Sequence, residues 1–395
     1  MAFTKVPCRC FAAALLVIVA AVAACQDKHL VINEKFLPTL SQSKETNYRS
    51  PGTYPDKELK WFVEIPHDSD TEFLRLHLRV NQLRSDSGWK IRVLGKQDEK
   101  YSEIQVLSYK DFSLPSSSLQ AWSRRIPGKV ALVELLATGN IDGFELFVDR
   151  YNYQVSVPAE QAFVGLDERE DLVLVYGRDH HFYQWGVPIA SVLFVTADTK
   201  KDSGCTAFLV SKDLLMTNEH CISQDWQLPT SQVVFGYESM PQKVEQFGLK
   251  ELVAKCKRLD YSLLRLDRAA DSWSTVSLDT GKSRVKEEKL ILIQVPPAER
   301  KKIAVHKCKI EDPDARGVSD EVTDFYHLCD SEGGSSGSPV MDAGTGKVVG
   351  LHHAGRYDPK TNDNHNLGVR IELILKDIAT RLPDVCKQIV GCSTN

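Results

Sequence analysis

The chain has 395 residues, 42% hydrophobic and 26% charged, which is the composition of a folded globular protein and excludes bulk disorder. The formal net charge of -4 gives no electrostatic preference for nucleic acid or an anionic membrane surface. No C-x2-C or His-rich spacing is present, so no metal site is expected.

The first element is a targeting signal over residues 1–24. Lys5 and Arg9 give a positive start, and Phe11 to Ala24 is an unbroken apolar run ending in small residues. The run is shorter than the roughly 20 residues of a membrane span and suits a signal-peptide core. Val22-Ala23-Ala24-Cys25 resembles a lipobox, which would lipidate Cys25, whereas Ala21-Val22-Ala23 fits ordinary A-x-A cleavage. The first alternative anchors the protein to a membrane surface and the second releases it; either way the product is exported, as a secreted, periplasmic or lipid-anchored protein. Cys8 and Cys10 leave with the signal, and the later cysteines would tend to pair in an oxidising compartment. If Cys25 carries lipid, an odd number remains and Cys256 is the one expected to stay free.

Residues 25–175 read as a β-sandwich-like domain, of a jelly-roll kind. Leu74 to Val80 alternates apolar and polar residues, as do Trp89 to Val93 and Phe144 to Val148, each the signature of a half-buried strand. Gly- and Ser-rich breaks separate these runs. No chemical constellation occurs here. Trp61, Trp89 and Trp122 are expected in the core rather than on a sugar platform, and Arg124-Arg125 is expected to be a solvated pair rather than a processing site.

From residue 176 to 395 short strands continue and reactive residues enter. Gly204 to Val210 and Leu214 to Met216 are two apolar strands leading to Thr217-Asn218-Glu219-His220-Cys221. A disulfide between Cys205 and Cys221 would cross-link the strand to the loop that carries His220. Asp260 opens the apolar strand Tyr261 to Leu266, where a buried carboxylate could accept the imidazole Nδ1–H and fix its tautomer. In Asp330-Ser331-Glu332-Gly333-Gly334-Ser335-Ser336-Gly337-Ser338-Pro339, glycines on both sides of Ser336 allow a tight turn that points amide N–H groups inward. The N–H groups of Gly334 and Ser336 could then form an oxyanion hole. Ile371 to Leu382 places its apolar residues on one helical face, and Cys386 and Cys392 form a small loop clip behind it.

Over residues 176–395 the sequence resembles the trypsin/chymotrypsin superfamily, in the bacterial branch that includes glutamyl and lysyl endopeptidases. Gly334 to Pro339 resembles the nucleophile motif, Thr217 to Cys221 the His-Cys motif and Asp260 to Leu264 the acid strand, in the family's order His, Asp, Ser. The resemblance implies an all-β protein, with a chymotrypsin-like double β-barrel and a C-terminal helix after the sandwich. It implies a serine endopeptidase acting on proteins or peptides with Ser336 as nucleophile, His220 as base and Asp260 as orienting acid, and no metal or organic cofactor. It also implies a Cys308–Cys329 disulfide. Ser335 stands where trypsin-like animal enzymes carry the aspartate that binds a newly cut N-terminus, so that route of activation is not expected. His353 stands where relatives often have a serine that supports the triad aspartate.

Substrate selection is left between two residues. Asp330 occupies the place of the acid that binds Lys or Arg side chains. His352, in Val349 to Gly355, occupies the place where glutamyl endopeptidases hold a carboxylate, with Gly355 on the same pocket wall. A charged P1 residue is expected, with its sign open. Two other functions compete: Gly333 to Gly337 also fits the G-x-S-x-G elbow of esterases and lipases, and a catalytically silent protease fold could serve as a binding module. Neither the natural substrate nor the oligomeric state is legible.

Overall fold

In the computed structural model, the described residues are 41–393 except 70, 72, 82–87, 98, 113–118, 155–160, 163–166, 199, 238–243, 282, 297–299 and 359–362. The targeting signal and Cys25 lie outside them. Among them no helix is long and apolar enough to cross a membrane.

The chain is mostly antiparallel β-structure. Strands between residues 41 and 154 form two sheets. One runs in the order Ser41–Arg49, Leu146–Gln154, Phe73–Val80, Leu119–Trp122; the other in the order Leu59–Pro66, Val130–Ala137, Trp89–Gln97, Lys100–Leu107. The alternation in Leu74, Leu76 and Leu78, and in Ile91 and Val93, turns these side chains into one shared core. Trp89 and Trp122 are buried and Trp61 packs against that core, so the tryptophans are structural.

A seven-stranded and an eight-stranded sheet follow. In the first, Asp202–Leu209 is buried along its whole length. Ala207 and Leu209 face one core, while Phe208 turns to a second core that the two sheets share. That shared core also receives Ile371, Ile374, Leu375 and Ile378 of the helix Ile371–Arg381, the C-terminal helix expected from periodicity. The hairpin Ile310–Arg316 and Val322–His327 stands between Cys308 and Cys329. All three expected disulfides are present: Cys205–Cys221, Cys308–Cys329 and Cys386–Cys392. Cys256 is unpaired among the described residues.

A buried carboxylate ties the sandwich to the first of these sheets. Asp202 opens the strand Asp202–Leu209, and its Oδ1 accepts from Arg75 Nε at 2.7 Å and Arg125 Nε at 3.2 Å. Its Oδ2 accepts from Asn152 Nδ2 at 3.1 Å and from the Ser41 hydroxyl at 3.2 Å. Arg125 is therefore not a solvated residue, and Arg124 lies 3.9 Å from Asp267; their acids stand far along the chain, out of reach of a local reading. Burial opposes the charge on Asp202, but Arg75 and Arg125 hold its pKa below the ordinary value.

Replacing Asp202 by Asn is expected to destabilise the fold by about 3 kcal/mol, because Arg75 is left buried without its counter-charge. The folded pKa is depressed, so this stabilisation is present above about pH 4 and is lost as pH falls through the folded value. Urea unfolding of wild type and Asp202→Asn across pH 3–7 measures both effects.

Candidate active site

His220 and Asp260 come from the seven-stranded sheet, and Ser336 comes from the loop ahead of Pro339–Asp342 in the eight-stranded sheet. Asp260 ends a short 3-10 turn with a left-handed backbone, φ 41° and ψ 47°, a conformation that aspartate tolerates better than most residues. Asn218 Nδ2 donates to the Asp260 carbonyl at 2.9 Å and holds that turn. The Asp260 carboxylate faces the histidine loop with both oxygens. Oδ1 accepts the His220 backbone N–H at 3.0 Å, and Oδ2 accepts from His220 Nδ1 at 2.8 Å. Burial opposes a charge here, but His220 and His353 beside it hold the Asp260 carboxyl well below the carboxylate range.

Ser336 is buried at 3% exposure, and its hydroxyl forms no hydrogen bond to a described residue. Its place is set through its backbone. The Thr206 N–H donates to the Ser336 carbonyl at 2.8 Å, and the Gly337 N–H to the His352 carbonyl at 2.9 Å. Thr206 follows Cys205, whose partner Cys221 follows His220. One strand thus anchors the Ser336 turn through Thr206 and the imidazole loop through Cys205. A ring nitrogen of His220 lies within 4.8 Å of both sulfurs, which the disulfide makes unavailable as metal-binding thiolates.

Gly334 and Gly337 adopt φ of +98° and +87°, which a side chain disfavours. The Gly334 carbonyl accepts from the Thr206 hydroxyl at 3.0 Å. The Gly334 and Ser336 N–H groups donate to no described residue. Gln294, absent from the sequence reading, staples the loop at both ends. Its Nε2 donates to the Asp330 carbonyl at 2.9 Å, and its Oε1 accepts from the Ser335 hydroxyl, which in turn accepts the Glu332 N–H at 3.0 Å. Ser335 thus belongs to an internal hydrogen-bond clip. A strand, Pro339–Asp342, follows Ser336, so the strand-turn-helix context of an esterase elbow is not met.

The specificity candidates separate. Asp330 Oδ2 accepts the Glu168 N–H at 2.9 Å. His352 is buried, with Nδ1 3.2 Å from His327 Nε2, and His327 Nδ1 accepts the Cys329 N–H at 3.3 Å. Burial, reinforced by neighbouring histidines, lowers both pKa values, that of His327 to about 3 and that of His352 well below ordinary. Both rings are neutral; His327 Nδ1 accepts, so its proton sits on Nε2, and both rings also approach the Leu367 carbonyl. Gly355 is buried and pairs with Asn366. His353 donates from Nδ1 to Asp260 Oδ2 at 3.1 Å and from Nε2 to Asp324 Oδ2 at 2.6 Å. It thus fills the supporting place behind the acid, and Asp324 is a member that sequence alone did not reveal.

Fold and site together describe a trypsin-like peptidase arrangement. Residues 205–351, the stretch that carries His220, Asp260 and Ser336, match the family model for the trypsin-like peptidase domain. Over that stretch the chain is similar to the trypsin-like peptidase domain. It is also 27% identical over 175 residues to "Uncharacterized protein y4fB" of Sinorhizobium fredii (strain NBRC 101917 / NGR234). That stretch is 40% of this chain and spans only about a quarter, 26%, of the relative's length. Similar solved structures include Deg5, at 14% identity and TM-score 0.38, covering 49% of this chain and 88% of that one. The active form of the Rv3671c protease from M. tuberculosis aligns at 14% identity and TM-score 0.40, covering 60% and 93%.

A Cβ on Gly337 would overlap the Thr206 carbonyl oxygen and the Thr217 hydroxyl, which the Thr217–Thr206 hydrogen bond of 2.8 Å holds in place. Gly337→Ala is expected to cost about 2 kcal/mol or more, from backbone strain and overpacking. A lowered thermal midpoint in scanning fluorimetry measures it.

Proposed function

We propose that the chain is an exported serine endopeptidase that cleaves after acidic residues through Ser336, His220 and Asp260. The observation that carries the reading is the His220–Asp260 hydrogen bond of 2.8 Å in the same segment as a glycine-flanked serine turn. Asp260 fixes His220 with its proton on Nδ1, leaving Nε2 as the base. Ser336 attacks the substrate carbonyl and passes its proton to His220, a contact that tightens when substrate is bound. The Gly334 and Ser336 N–H groups receive the developing oxyanion, each worth roughly 3 kcal/mol in the transition state. His220 then protonates the leaving amine, and water releases the acyl-enzyme by the reverse sequence. No metal or organic cofactor takes part.

The contacts of the pocket candidates favour an acidic P1 residue. Asp330 accepts the Glu168 N–H, whereas the neutral His352 ring can offer an N–H to a substrate carboxylate. Three disulfides support an oxidising compartment, reached by the signal over residues 1–24, with or without a lipid on Cys25.

Ser336→Ala is expected to lower kcat/KM on a glutamate-containing peptide at least about 10⁴-fold while leaving the thermal midpoint in place. Undiminished cleavage by that variant contradicts the mechanism. His352→Leu is expected to reduce the preference for Glu over Gln at P1 by about 10–100-fold, the value of a hydrogen bond to a charged group. Profiling both proteins on a P1-varied peptide library reads that ratio.

A further inference from the structure

We infer that His353 and Asp324 act as a charged pair that positions the carboxylate of Asp260 and tunes the basicity of His220. The inference rests on the triad reading above and adds a second layer to it. Three observations carry it. Each ring nitrogen of His353 faces a carboxylate, Asp260 at 3.1 Å and Asp324 at 2.6 Å. A carboxylate only accepts, so both nitrogens donate and the ring is an imidazolium. The His353 and Asp324 side chains are fully buried and that of Asp260 nearly so, at 0%, 0% and 5% exposure, so two anions would otherwise share one dry space without a counter-charge. Asp324 is itself fixed, its Oδ1 accepting from the Thr323 hydroxyl at 2.7 Å.

The surroundings leave this pair as the local source of charge. Besides Asp260 and Asp324, the titratable groups near His353 are His352 and His327, both neutral, and His220. Glu219 faces Asp260 from the histidine loop, and burial raises its pKa. Arg370, on the neighbouring strand, donates to the carbonyls of Thr323 and Val322 rather than to Asp324. Burial disfavours the charged ring, but Asp324 and Asp260 together lift the His353 pKa to about 10. The cation therefore persists across the working range of a protease.

A hydroxyl in this place would give Asp260 a neutral hydrogen bond. The imidazolium gives it a charge-assisted one, and Asp324 cancels the added charge at longer range. From His220 the pair is a dipole with its positive end near. Its near positive charge repels a positive charge developing on the His220 ring.

The test is the double variant His353→Ser/Asp324→Asn, which replaces both charges with neutral hydrogen-bonding groups. Active protein is counted with a fluorophosphonate probe, and kcat and KM are measured on one peptide from pH 4 to 10. The acidic limb of kcat/KM is expected to move up by about half a pH unit, with kcat lowered and KM unchanged. In the single variant Asp324→Asn the His353 proton is held less tightly, so a new alkaline limb is expected. Profiles matching wild type in both variants overturn the inference, as does a fall in KM-linked terms alone. Failure of the triad reading is separately visible, because Ser336→Ala would then keep both labelling and cleavage.

Discussion

A carboxylate withdrawn from water is the constraint on which the site depends. Asp260 sits almost wholly buried, and a lone buried anion would take up a proton. It stays ionised because three donors converge on its carboxylate, the His220 N–H and ring and the His353 ring, while Asn218 holds its backbone carbonyl. Both histidines have their own anchors. The His220 loop is tied by the Cys205–Cys221 disulfide, and His353 lies on the strand whose neighbour, His352, accepts from the Gly337 N–H. Orientation of the imidazole and placement of the serine turn are therefore consequences of one set of contacts.

The same economy reaches the sandwich. Strand Asp202–Leu209 carries Thr206 and Cys205, the residues that hold the serine turn and the histidine loop, and it begins at the Asp202 that Arg75 and Arg125 grip. A shift of the sandwich is thereby coupled to the strand on which both halves of the site hang. The residues ahead of the strand Ile189–Val195 have a similar part: the Glu168 N–H binds Asp330, and Arg169 pairs with Glu332 in the serine loop. With Gln294 bridging the loop from inside, the turn is braced on both faces by internal contacts.

Local patterns carried much of this in the sequence. Alternation in Phe73–Val80 and Trp89–Gln97, and the helical face of Ile371–Arg381, predict their elements because one side of each is buried. The polar strand Ser41–Arg49 escaped because it is an outer strand of its sheet and mostly solvent-facing, so it lacks the apolar period. The His220–Asp260 contact and the tight turn at Ser336 were legible through their neighbours: a cysteine, an apolar strand and flanking glycines. Asp324, Gln294 and Arg75 were not, because each acts on a residue that only folding brings near; nothing next to Asp324 in the chain signals a buried charge. The contact of His353 was left open for the same reason.

The most direct test of the central claim is a crystal structure of the protein after reaction with a small fluorophosphonate. The account predicts a phosphorus–oxygen bond at Ser336 Oγ, the phosphoryl oxygen within hydrogen-bonding distance of the Gly334 and Ser336 N–H groups, and His220 still bonded to Asp260. An unmodified Ser336 in fully folded protein, or an adduct whose phosphoryl oxygen points away from both amides, would contradict it.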